Sequence, residues 1–212
     1  MEIPFPVDIA HTKANNEYYR DARRLVLSSA IFSALLLVAA AITFVLTPSN
    51  WWTTAIVLTL AVLGVVYLGV TFQIRRSLKP PQQLYDTSPL APAIIAEVNE
   101  RSMVLLALVD ARRDPSQGPA RPALAARTVT TISGVPRRVG ARVPAIAVAG
   151  SHSSRQELYD EITPVPLAWS SRDKSTINEA RKAIGEDQWG LLERNLGRVA
   201  EVRATKRDLL AL

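Results

Sequence analysis

The sequence predicts a membrane α-hairpin of two transmembrane helices joined to a small cytoplasmic α+β domain, a bent sheet or partial barrel of about five strands followed by C-terminal helices. Three observations predict it. Residues 25–74 hold no Asp, Glu, Lys, Arg or His. A proline-rich stretch follows them. The remaining residues change from short apolar runs between turn signals to a helical periodicity near the end. The implied organisation is a cytoplasmic segment at 1–24, a hairpin at 25–74, a linker at 75–92 and a domain at 93–212.

The charge-free stretch reads LVLSSAIFSALLLVAAAITFVL, then TPSNWW, then TTAIVLTLAVLGVVYLGVTFQI. A helix of about 22 residues is about 33 Å long, enough to cross a hydrocarbon core of about 30 Å. Both runs are apolar all round, which fits lipid better than the one-sided stripe of a soluble surface helix. The alternative is a buried core hairpin of a soluble protein. The preceding residues, MEIPFPVDIAHTKANNEYYRDARR, are polar, and no small-residue cleavage pattern follows the first run. The first run is therefore expected to stay as a span.

Pro4 and Pro6 oppose a helix, so residues 1–14 read as extended, with a helix starting at Asn15. Tyr18, Tyr19, Arg23 and Arg24 precede the first span, and Arg75 and Arg76 follow the second. These residues suit the headgroup region, as do Trp51 and Trp52 in the loop between spans. Lys13, Arg20 and Lys79 extend the same basic bias, whereas the connecting loop carries no charge. The positive-inside rule then puts both termini in the cytoplasm and makes the chain a multi-pass protein of the plasma (inner) membrane. Small residues at Ala30, Ala34, Ala61, Gly64 and Gly69 offer close helix approach, and Tyr67 is expected to face a helix rather than lipid. No ionisable acid, base or His lies in the spans, which excludes a proton relay or voltage sensor within them.

Pro80, Pro81, Pro89 and Pro92 make 77–92 an extended spacer. Residues 93–99 and 103–110 form a hairpin about Glu100-Arg101-Ser102. Further strands are expected at 123–132, 143–150 and, broken by proline, 161–169. Thr176-x-x-Glu179 has capping-box spacing, and Ile177, Ala180 and Ile184 share a face of the helix it opens. A second helix starts near Glu186, with Trp189, Leu192, Leu196 and Val199 as its apolar stripe. The final residues, DLLAL, read as a frayed end or a docking segment.

The chain has 212 residues, a formal net charge of +6, two histidines and no cysteine. Disulfides and thiolate sites are excluded, and His11 and His152 are too few and too far apart in sequence for a metal site. Ser151, His152, Ser153 and Ser154 near Asp160 offer a hydrolase reading, but adjacent Ser and His in a loop supply neither triad geometry nor an oxyanion hole. No phosphate-loop, dinucleotide-binding, zinc-protease or CxxC motif is present. Arg112, Arg113, Arg121, Arg127, Arg137, Arg138 and Arg142 make the β region basic. No aromatic residue lies between Arg101 and Arg155, so a membrane or protein partner is favoured over nucleic acid.

Several stretches together carry a resemblance: NNEYYRDARRLVLS at 15–28, the two charge-free spans with their short loop, LALVDARRDPSQGPARPALAARTVTTISGVPRRVGARVPAIAV at 106–148, and ITPVPLAWSSRDKSTINEARKAIGEDQWGLLERNL at 162–196. The combination resembles an actinobacterial family of two-span membrane proteins of unknown function. It is also similar to the small accessory subunits of the actinobacterial respiratory supercomplex of cytochrome bcc and the terminal oxidase. The resemblance implies a non-catalytic accessory or assembly subunit in an electron-transport complex. Its implied partners are integral membrane subunits and lipids, with no cofactor, no nucleic acid and no small-molecule substrate. The alternative reading is a membrane-tethered regulatory or ligand-binding module.

Overall fold

The computed structural model describes residues 7–78, 80–114, 116, 118–150 and 157–212. A short helix α1 (Ile9–Asn15) precedes two long helices, α2 (Glu17–Leu46) and α3 (Trp51–Ser77), and a helix α4 (Pro81–Asp86). The strands are β1 (Leu90–Val98), β2 (Met103–Asp110), β3 (Pro122–Val129), β4 (Arg142–Ala149) and β5 (Ile162–Pro166). Helices α5 (Lys174–Ala183), α6 (Glu186–Arg194) and α7 (Val199–Ala204) follow, and β6 (Leu209–Ala211) ends the chain. Two units result: residues 1–16 with 81–212, and residues 17–80.

The second unit is the α2–α3 pair. Asn50 caps α3 by accepting from the Thr53 backbone N–H at 2.8 Å. The two helices meet on a seam of mostly small residues. Val26, Ser33 and Ala40 recur every seven residues on α2, and Gly64 and Thr71 do the same on α3. That spacing keeps one stripe facing a partner helix. The Ser33 hydroxyl donates to the Gly64 carbonyl at 2.7 Å. Most of the other apolar side chains point outward, with Phe44 74% and Leu46 75% exposed. A core hairpin of a soluble protein would bury them, so that alternative fails. At roughly 25 cal/mol per Å² their surface is costly in water and costs nothing in lipid.

In the first unit, six antiparallel strands take the order β5-β4-β1-β2-β3-β6. The sheet curls. Arg127 on β3 reaches the Pro164 carbonyl on β5 at 3.5 Å, although β3 and β5 are four places apart in that order. A register shift between Ile95 and Glu97 places a bulge in β1, which bends a strand. One face carries Ile94, Val104, Leu106, Leu124 and Ala126 against Ile184, Trp189, Leu192, Val199 and Val202. The opposite face, with Ile95, Leu105 and Val129, is equally buried. Burial on both faces explains why MVLLALVD has no polar alternation.

Several sequence expectations are corrected. Residues 9–15 are helical rather than extended. Pro4 and Pro6, on which that expectation rested, lie outside the described residues, and Asp8 caps the helix by accepting from the His11 backbone N–H at 2.9 Å. Asn16 ends α1, and the next helix starts at Glu17. The spacer at 77–92 is interrupted by α4, because Pro81 stands at a first helical position where its missing N–H is no loss. Pro92 lies within β1, opposite Pro144. Helix α5 is capped by Asp173 rather than by the Thr176 box. The tail pairs with β3 as Ala123–Ala211, Leu124–Leu210 and Ala125–Leu209 instead of fraying.

Candidate anion-binding cleft

Helix α1 is fastened to the domain by hydrogen bonds. The Asp8 N–H donates to the Ser170 carbonyl at 2.9 Å. The Asn16 amide donates to the Tyr85 hydroxyl at 3.2 Å. His11 is 5% exposed. Its Nδ1 faces two donors, the Asn15 amide and Arg172 Nε, each at 3.0 Å. Nδ1 must therefore be the acceptor, and the ring proton sits on Nε2, which donates to the Ala168 carbonyl at 3.1 Å.

Beside this contact lies an open cleft of about 540 Å³. One wall is a face of α5 bearing Lys174, Ile177, Asn178 and Arg181, at i, i+3, i+4 and i+7. The other is the turn from Ser133 to Pro136, and His11 and Arg172 also line it. A smaller hollow of about 310 Å³ continues past Pro136 and Arg181 to Arg138 and Arg142. Among the described residues, no acidic side chain lines either. The Asp173 carboxyl at the head of α5 is drawn down to about 2 by the Ser175 hydroxyl, with the Ser175 N–H and Thr176 hydroxyl adding to it. That carboxylate is thus occupied in capping.

Most of the arginines that make the β region basic have partners within the domain. Arg112 holds Asp110 at 2.6 Å. Burial raises the Asp110 carboxyl, but hydrogen bonds from Arg112 and Arg121 outweigh it and the net shift is downward. Arg127 stacks over Trp169 at 5.0 Å. Arg137 donates to the Asn99 and Ser102 carbonyls, closing the β1–β2 turn. Arg142 binds Glu186 and Glu193 and lies over Trp189.

Of the residues expected at the membrane interface, Tyr18, Tyr19, Arg23 and Arg24 lie at the N-terminal end of α2 and Arg75 and Arg76 at the C-terminal end of α3, while Trp51 and Trp52 open α3 rather than lying in the loop between the long helices. Tyr18 and Tyr19 meet edge to face at 5.2 Å, and Trp51 stacks on Trp52 at 3.9 Å. Arg23, Arg24, Arg75 and Arg76 are exposed. Of the packing residues, Gly64 is on the seam, and Ala30 and Ala61 are half-buried. Tyr67 meets Phe32 of the neighbouring helix edge to face at 4.9 Å. Ala34 and Gly69 are exposed, off the seam. The loop at 151–154 considered for hydrolysis lies outside the described residues. Sequence reading missed His11, Arg172, Lys174 and Arg181 as neighbours. The 174/177/178/181 spacing was its one visible signal.

The family model described as "Protein of unknown function (DUF3239)" matches residues 76–200. The chain belongs to the DUF3239 family. The matched span contains every cleft residue except His11. The crystal structure of a candidate membrane protein from Corynebacterium diphtheriae is 46% identical to this DUF3239 chain, with a TM-score of 0.56. The match covers 58% of this chain and 100% of that one. A comparison with curated proteins finds no match. With the two long apolar helices, these findings make the DUF3239 chain a membrane protein.

Proposed function

We propose that this protein is a non-catalytic accessory subunit of an integral membrane complex, spanning the plasma membrane twice with both termini in the cytoplasm. The observation that carries the topology is the placement of α1 and α4. They flank the two spans in sequence, yet belong to one folded unit. The chain must then return to the side from which it left, and the basic flanks make that side the cytoplasm. The accessory role is supported by spans that carry no ionisable group and use one seam on each other. Such a hairpin can supply packing surface but no charge pathway. The sequence resemblance makes the actinobacterial cytochrome bcc–oxidase supercomplex the first complex to test.

Affinity purification of the tagged full-length chain in mild detergent, with absorption spectra of the eluate, tests this. Haem bands with stoichiometric oxidase and bc-type subunits are the expected result. Other integral subunits without haem would keep the accessory role and replace the complex. A colourless eluate with no membrane partner would overturn the accessory role. The basic cleft favours a second reading, a membrane-tethered ligand-binding module. It predicts a saturable effect of an anionic ligand on the thermal stability of the purified protein.

A further inference from the structure

The cleft between α5 and the Ser133–Pro136 turn has charge of one sign. Arg172, Lys174 and Arg181 line it, and among the described residues no acidic one does. Among the described residues, no carboxylate lies within ion-pair distance of these cations. Asp173 is close in sequence, but its oxygens accept from Ser175 and Thr176. Three like charges around one cavity repel each other, and an anion completes the set. Arg172 is also oriented. Its Nε donates to His11 Nδ1, which leaves both terminal amino groups without a protein acceptor among the described residues. A guanidinium held that way has its remaining donors ready for a planar or tetrahedral anion.

The size and lining point further. The volume of about 540 Å³ falls in the range of small-molecule sites, roughly 300–1,000 Å³. Val135, Pro136, Ala168 and Ile177 give an apolar lining, which suits an organic body rather than a bare ion. Lys174 and Arg181 are seven residues apart, about 10 Å along the helix axis. Beyond Arg181 the smaller hollow adds Arg138. Ser133 and Asn178 supply neutral hydrogen-bonding groups between the charged ends. We infer that the cleft binds an organic phosphate with at least two anionic groups, held at one end by Arg172 and Lys174 and at the other by Arg181. This deepens the tethered-module reading and does not depend on the hairpin having protein neighbours.

A lipid headgroup and a soluble diphosphate share this chemistry. The full-length chain is therefore tested in two arms at fixed ionic strength. In detergent, adenosine diphosphate is titrated while thermal unfolding is followed, with sodium sulfate as the ionic control. In nanodiscs of phosphatidylcholine with or without cardiolipin, amide exchange is followed over 133–136 and 172–181. Saturable stabilisation by adenosine diphosphate assigns a soluble ligand, and cardiolipin-dependent protection assigns a headgroup. In either arm Arg181→Gln weakens the response roughly tenfold, the loss of one charge-assisted hydrogen bond. Arg181 makes no hydrogen bond or ion pair within the described structure, so this variant keeps the fold. Arg194→Gln on α6 removes the same charge outside the cleft and leaves the response unchanged. No saturable response in both arms, or equal weakening by Arg194→Gln, overturns the site. A chain that binds in either arm but purifies without membrane partners would leave the cleft standing and remove the accessory role.

Discussion

His11 Nδ1 lies 3.0 Å from Arg172 Nε, joining residues 161 apart in sequence. The contact ties the segment before the first long helix to the segment that opens α5. His11→Ala removes the acceptor for Arg172 and Asn15 and leaves the Ala168 carbonyl without its donor. Leaving such buried groups unpaired costs about 2 kcal/mol. The expected outcome is a lower melting temperature in detergent, with amide exchange of residues 9–15 rising before that of the sheet. Unchanged protection of 9–15 would show that Asp8 and Asn16 suffice to hold α1.

The α2–α3 seam distinguishes two glycines that the sequence presents alike. A Cβ on Gly64 would fall 2.8 Å from the Leu37 side chain, whereas one on Gly69 would meet nothing within 4 Å. Gly64→Val should therefore destabilise the pair by about 1–3 kcal/mol, the usual cost of overpacking. Gly69→Ala should be near neutral. Unfolding by titrated sodium dodecyl sulfate, followed by circular dichroism, separates them. Equal midpoints would mean that the helices do not pair through Gly64.

That pair of glycines shows what was legible in the sequence. The absence of charge over 25–74 marks two helices, because a bilayer core admits little else. Which small residues face each other depends on helix rotation, which small-residue composition alone does not encode. The strands at 93–99 and 103–110 were readable as a hairpin because the turn between them is short and polar. The pairing of Leu209–Ala211 with β3 was not readable, because a three-residue strand has no period of its own. The cleft was hidden for a related reason. His11 and Arg172 are each unremarkable locally, and only the docking of α1 brings them together.

Two buried tryptophans should respond differently to the same substitution. Trp169 donates its indole N–H to the Thr131 carbonyl at 2.9 Å, whereas the Trp189 N–H is buried without a partner among the described residues. Both rings lie under an arginine. Trp169→Phe loses volume and a hydrogen bond and leaves a carbonyl unpaired, at a cost of about 2–4 kcal/mol. Trp189→Phe loses volume but also removes an unsatisfied donor, so its cost is smaller, about 1–2 kcal/mol. Thermal unfolding of the two variants should rank them in that order. The reverse order would place a hydrogen-bond partner on the Trp189 indole in solution.

Asp173 gives a prediction in pH. Its carboxylate accepts from the Ser175 hydroxyl at 2.6 Å, the Ser175 N–H at 2.9 Å and the Thr176 hydroxyl at 2.9 Å. These bonds lower its pKa from 3.8 to about 2. The folded value lies below the unfolded one, so the stabilisation is fully present above the unfolded value and is lost as pH falls through the folded value. Asp173→Asn keeps an N-cap acceptor but cannot ionise. The melting temperature of the parent should exceed that of the variant by a constant gap above about pH 5, and the gap should close between about pH 4 and pH 2. Other carboxylates titrate in the same window, but they do so in both proteins and cancel in the difference. A zwitterionic detergent keeps the micelle charge out of the comparison. A gap that stays constant down to pH 2 would mean that the carboxylate charge does not stabilise the start of α5, and the cap would act through geometry alone.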